Sequence, residues 1–148
     1  MERIDTSQEI YKQAVSQYSP YAVLVAMSGG SDSLASYYAA KAMDLKIDGI
    51  IHVRTRTGIL QTTQFVRDFA DKEKVNYFEA DAGDIYENRV LSKGFFGRGL
   101  KAHSFAYHLL KKAPLEKTIS RNIRQGKRNR NVLILNGVRL SESENRAK

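Results

Sequence analysis

Tyr21-Ala22-Val23-Leu24-Val25-Ala26-Met27 runs directly into Ser28-Gly29-Gly30-Ser31-Asp32-Ser33. The first seven residues form a short, nearly continuous apolar run, as expected of a strand covered by helices on both faces of a parallel sheet. Residues 34–43 are rich in Ala and Tyr and read as a helix that opens at Asp32-Ser33. A buried strand, a Gly-Gly turn and a helix N-terminus make an anion site by geometry. Successive backbone N–H groups converge there, and the positive end of the helix dipole adds to them. Gly29 and Gly30 permit backbone angles and close approach that a side chain would block. The hydroxyls of Ser28, Ser31 and Ser33 can donate to phosphate oxygens. Asp32 would repel a phosphate, so it reads either as a helix cap or as a ligand to Mg²⁺ that accompanies a nucleotide. No Lys follows the glycines, which excludes the Walker pattern, and three spaced glycines are absent, which excludes the dinucleotide fingerprint.

Outward from this loop, strands and helices alternate. Thr6-Ser7-Gln8-Glu9 has the form of a capping box, and Ile10, Tyr11, Ala14, Val15 and Tyr18 recur at helical spacing. A helix is therefore expected over residues 7–18, ended by Pro20. Residues 47–53 read as a second strand, 61–74 as a helix with Phe65, Val66, Phe69 and Ala70 on one face, and 75–79 as a weaker third strand. Residues 80–101, with Gly83, Gly94, Gly97 and Gly99, suggest a loop containing a short helix. Two basic helices, 103–112 and 114–125, are expected to be separated at Pro114. Residues 132–135 read as a fourth buried strand, followed by Asn136-Gly137-Val138-Arg139. This order implies an α/β fold, a three-layer, doubly wound, mainly parallel sheet within one domain over residues 1–148.

Composition narrows the function. The chain of 148 residues is 42% hydrophobic and 27% charged, ordinary for a folded protein. No apolar run reaches the roughly 20 residues that span a bilayer, and no signal peptide opens the chain, so a cytoplasmic location with no membrane partner is expected. Cysteine is absent, which removes disulfides, thiolate metal sites and any cysteine nucleophile from this chain. Of the 24 Lys and Arg, twelve lie in residues 101–148 beside only Glu116, Glu142 and Glu144. That basic lobe favours polyanions such as nucleotide phosphates or nucleic acid.

Ser28-Gly29-Gly30-Ser31-Asp32-Ser33 resembles the pyrophosphate loop of the N-type ATP pyrophosphatases and of their relatives, the phosphoadenosine phosphosulfate reductases. Three further segments resemble the reductase-like branch. They are His52-Val53-Arg54-Thr55-Arg56-Thr57-Gly58-Ile59 with Gln61 to Val66; Gly94-Phe95-Phe96-Gly97 with His103 and Leu109-Leu110-Lys111-Lys112-Ala113-Pro114-Leu115; and Gly137-Val138-Arg139-Leu140-Ser141-Glu142-Ser143-Glu144-Asn145-Arg146-Ala147. The resemblance spans residues 22–148 and implies an adenine nucleotide alpha hydrolase-like fold. It also implies ATP or a related adenine nucleotide as ligand, with Mg²⁺. Nucleotide and phosphate contacts then fall to residues 28–33 with Thr55, Gly58, Gly137 and Arg139. Asp32 and Arg139 become the catalytic candidates and Asp32 the metal ligand. His103, Glu142 and Arg146 become substrate contacts.

The chain departs from its relatives in two respects. Arg54 and Arg56 stand where relatives carry small or acidic residues, so they either add phosphate contacts, recognise another substrate, or crowd the adenine pocket. Reductases of the family attack sulfur with a cysteine thiolate, and Ala106 stands where some relatives carry a cysteine. The expected activity is therefore cleavage of ATP between the α and β phosphates, with adenylylation of an acceptor. Rival readings are a nucleotide-binding subunit without turnover, acting within a complex or as a C-terminally truncated relative, and a basic nucleic-acid-binding module. A homodimer or a thiol-supplying partner protein is a further expectation.

Overall fold

The computed structural model describes residues 2–138. Its elements are α1 (Glu2–Tyr18), β1 (Ala22–Ala26), α2 (Ser31–Ala42), β2 (Gly49–Arg54), α3 (Leu60–Glu73) and β3 (Tyr77–Asp81). After these come α4 (Ile85–Lys93), α5 (Leu100–Tyr107), α6 (Ala113–Ile119) and β4 (Val132–Leu135). The four strands form one parallel sheet in the order β3-β2-β1-β4. The apolar run of β1 is central and its residues 22–25 are buried, as its composition demands. On one face Val25, Met27 and Ile50 pack with Tyr37 of α2 and with Val66, Phe69 and Ala70 of α3. On the other, Ala22, Leu24 and Ile51 pack with Ile119 and Ile123. Helices cover both faces, so the three-layer α/β architecture expected from the alternating pattern is present.

Four local expectations are corrected. Thr6 does not start the first helix; α1 is already helical at Glu2, because residues 2–5 contain no Gly or Pro to stop it. The third strand begins at Tyr77, not Val75, because the Val75 N–H still bonds the Ala70 carbonyl at the end of α3, past the left-handed Lys74. Pro114 does not break the helical layer. From Leu100 to Arg124 the helix is continuous, with π-turns at His108–Lys112 and Ser120–Arg124. The first π-turn, where Ala113 N–H reaches His108 O, widens the helix just before the proline, which has no N–H to give. Finally, β4 is half-buried, since it pairs with β1 alone and forms a sheet edge.

Candidate functional site

The chain moves from β1 to β2 on one side, then returns to place β4 on the other. The strand order therefore reverses between β1 and β4, and ligands of such sheets bind beyond the carboxyl ends of the strands near that point. Residues 28–30 lie at this place and lead into α2. Gly30 is the N-cap of α2, and no side chain caps it, so Asp32 stands within the first turn and not at the cap. Asp32 is favoured there by the helix dipole.

The loop is held from inside. Gly30 N–H donates to Ser28 Oγ at 3.3 Å, Ser28 Oγ donates to Ser33 Oγ at 3.2 Å, and Ser33 Oγ donates to the Gly30 carbonyl at 2.8 Å. Ser33 is buried and its single proton is directed inward, so it shapes the loop, whereas Ser31 is exposed. Gly29 has φ +86°, and a Cβ there would stand 2.7 Å from Thr62 Cγ2 of α3. Only glycine combines that backbone with that contact.

Two cavities flank the loop. One, of about 350 Å³, is lined by Ser28, by His52 to Arg56, by Gly58 to Leu60, Thr62 and Thr63, and by Lys111. The other, of about 700 Å³, runs between α1, α2 and β4 and is lined by Asp32, Ser36 and Gly137 and by apolar residues such as Ile10, Ala39 and Met43. The smaller cavity is lined by cations and hydroxyls, whereas the larger one is mainly apolar and carries the Asp32 carboxylate; both have the size of ordinary ligand pockets. Ser28, Thr55 and Gly58 therefore meet in one cavity. Gly137 faces the other side of the α2 N-terminus, in contact with Asp32.

The arginines at the end of β2 are balanced by acids. Arg56 forks onto Asp81 with bonds of 2.9 and 2.8 Å and reaches Asp84 at 2.8 Å. These bonds hold it in a left-handed backbone conformation, φ +61°, that costs a non-glycine residue roughly 1 kcal/mol. The Arg56 bonds, helped by the Gly83 N–H, outweigh partial burial and hold the Asp81 carboxyl down to about 2. Arg54 lies 3.7 Å from Glu79 and 3.5 Å from Asp81. Burial raises the Glu79 carboxyl, but bonds from Tyr77 and Arg67 prevail and lower it. Lys111 differs, since it makes no ion pair among the described residues. It enters the cavity from the opposite helical layer, on the π-turn before Pro114.

Lys111 and His52 line the smaller cavity, and sequence reasoning alone does not select them. The Leu-Lys-x-x-Pro-Leu pattern was the signal for the lysine; nothing in the strand pattern marked the histidine. His103 is exposed on α5 and lines neither cavity. Arg139, Glu142 and Arg146 lie outside the described residues. Among the described residues no group of three His, Asp or Glu could hold a metal alone. A single carboxylate at Asp32 suits a Mg²⁺ that arrives on nucleotide phosphates, since that ion commonly binds through one or two carboxylates plus substrate.

Residues 22–148 match the family described as the phosphoadenosine phosphosulfate reductase domain. No curated protein matches the chain.

Proposed function

The chain belongs to the phosphoadenosine phosphosulfate reductase domain family, and from that premise we propose that it binds ATP and transfers its adenylyl group to an acceptor. The observation that carries this reading is the adjacency of residues 28–30 at the α2 N-terminus to the cavity of about 350 Å³ that Lys111 enters. The β and γ phosphates sit on the loop amides and the nucleoside occupies the cavity, with Lys111 over the α phosphate. The acceptor's nucleophilic atom forms a bond to the α phosphorus as the bond to the bridging oxygen breaks. Pyrophosphate leaves with that electron pair, and the acceptor's proton passes to solvent. Loop amides and Lys111 hold the developing charge, so rate comes from positioning and electrostatics. Mg²⁺ at Asp32 would supply further charge neutralisation to the leaving pyrophosphate.

A specific observation favours a nucleic acid as acceptor. Arg98, Lys101, Lys117, Arg121, Arg124, Lys127 and Arg128 make no ion pair among the described residues, whereas Arg54, Arg56 and Arg67 all do. Unneutralised cations suit a phosphate backbone, and the signature of such binding is affinity that falls steeply with salt.

The test is calorimetry with ATP and Mg²⁺ on wild type, Gly30→Val and Asp32→Ala, with pyrophosphate assayed in the same samples. Gly30 has φ −86°, and a Cβ there would meet only Ser28 Oγ, at 3.5 Å. Valine therefore fills the loop while sparing the backbone. Loss of ATP binding in Gly30→Val with the fold intact supports the reading, and ATP binding equal to wild type refutes it. ATP binding without pyrophosphate, in the presence of oligonucleotide, would instead favour a nucleotide-binding subunit without turnover.

A further inference from the structure

His52 is the buried histidine of the chain; His103 and His108 are exposed. Its Nδ1 stands 2.8 Å from the Met27 carbonyl oxygen and its Nε2 3.2 Å from Thr63 Oγ1. A carbonyl only accepts, so Nδ1 carries a proton and donates to Met27, while Nε2 shares the second bond with the Thr63 hydroxyl. Met27 is the last residue before the loop, and its own N–H donates to Ile51 O at 2.9 Å. Both backbone groups of Met27 are therefore fixed by β2. Thr63 belongs to the first turns of α3, the segment that walls the smaller cavity and presses Thr62 against Gly29. One imidazole thus links the root of the phosphate loop to the wall of the cavity.

We propose that His52 is a positioning residue that sets the spacing between the phosphate loop and the cavity, so that a single nucleotide engages both. This rests on the adenine-nucleotide reading above. A ligand that reaches one subsite alone is indifferent to the spacing. A ligand that spans both depends on it, because its second contact is made only if the first leaves it in register. Burial of the ring, with every buried side-chain polar atom of the described residues satisfied, gives the link a fixed length.

The experiment compares ATP, adenosine and pyrophosphate binding by calorimetry in wild type, His52→Phe, His52→Asn and Thr63→Val. It adds backbone amide spectra of Gly29 and Gly30. The Asn amide donates from about the position of Nδ1, so it retains the Met27 bond. Thr63→Val keeps side-chain shape and covers the case in which His52→Phe does not fold. In His52→Phe, ATP affinity is expected to fall about tenfold, the equivalent of one hydrogen bond, with adenosine and pyrophosphate changed less than about threefold. His52→Asn restores most of the ATP affinity, and Thr63→Val moves the Gly29 and Gly30 amide resonances. Equal weakening of all three ligands, or unchanged ATP affinity in His52→Phe, overturns the proposal. Wild type that binds no ATP defeats the adenine-nucleotide reading instead. The amide resonances then decide the positioning role, and their failure to move in Thr63→Val overturns it.

Discussion

Gly137 rests directly on the carbonyl of Asp32. A Cβ at Gly137 would overlap that oxygen and stand 3.2 Å from the Cβ of Ser36. The chain leaving β4 is thereby seated on the first turn of α2, across the point where strand order reverses. Gly137→Ala must push backbone against backbone, since no flexible side chain is there to yield. The expected cost is about 1–3 kcal/mol of stability, as for other overpacked sites. Urea denaturation measures it, and ATP affinity should fall in the same variant because the turn that moves carries Asp32.

Gly29 makes the matching contact on the opposite side of the loop, and there two effects can be separated. Gly29→Ala incurs about 1 kcal/mol for a side chain at φ +86°, plus the clash of its Cβ with Thr62 Cγ2 at 2.7 Å. Thr62→Ser deletes that methyl group. The double variant is expected to recover the stability lost to the clash and keep the backbone cost, giving a clearly non-additive cycle in denaturation midpoints. Additive losses would show that Gly29 is required for its backbone alone.

These two glycines show what the sequence made legible. The apolar run of β1, the Gly-Gly turn and the alternating pattern were enough to place the loop at a strand-to-helix junction of a parallel sheet, because each is a local signal. Gly137 was selected for following a strand, yet its contact with Asp32 depends on β4 lying beside β1. Strand order is not written in any local pattern. Lys111 was hidden for a similar reason: it reaches the cavity from the far layer, and a π-turn sets its angle. His52 reads as one polar residue in an apolar strand, and its meaning comes from two partners 25 and 11 positions away.

Lys111 and Lys112 are neighbours in sequence with different surroundings. Lys111 lines the cavity without an acid partner among the described residues, while Lys112 lies 3.9 Å from Glu116 on the exposed side. Lys111→Ala is expected to weaken ATP binding about tenfold, the scale of one charge-assisted contact. Lys112→Ala should change it less than about twofold. Calorimetry on the pair checks this, and equal effects would mean that the two lysines act through general surface charge.

The Asp81–Arg56 clamp makes a prediction about acid. Asp81 is held down to about 2, from 3.8 for the free carboxyl, chiefly by its bonds from Arg56. A carboxyl whose folded value lies below its unfolded one stabilises the fold above the unfolded value. That contribution is lost as pH falls through the folded value, here between about 4 and about 2. The Asp81 side chain is 30% exposed, so solvent screening reduces the contribution to about 1 kcal/mol. Asp81→Asn should lower stability at neutral pH by about that amount and flatten the decline between those pH values. Some slope will remain, because the Glu79 carboxyl is also lowered. Urea midpoints measured from neutral pH down to about 2 check it, and parallel decline of wild type and Asp81→Asn would show that the clamp holds Arg56 without stabilising the fold.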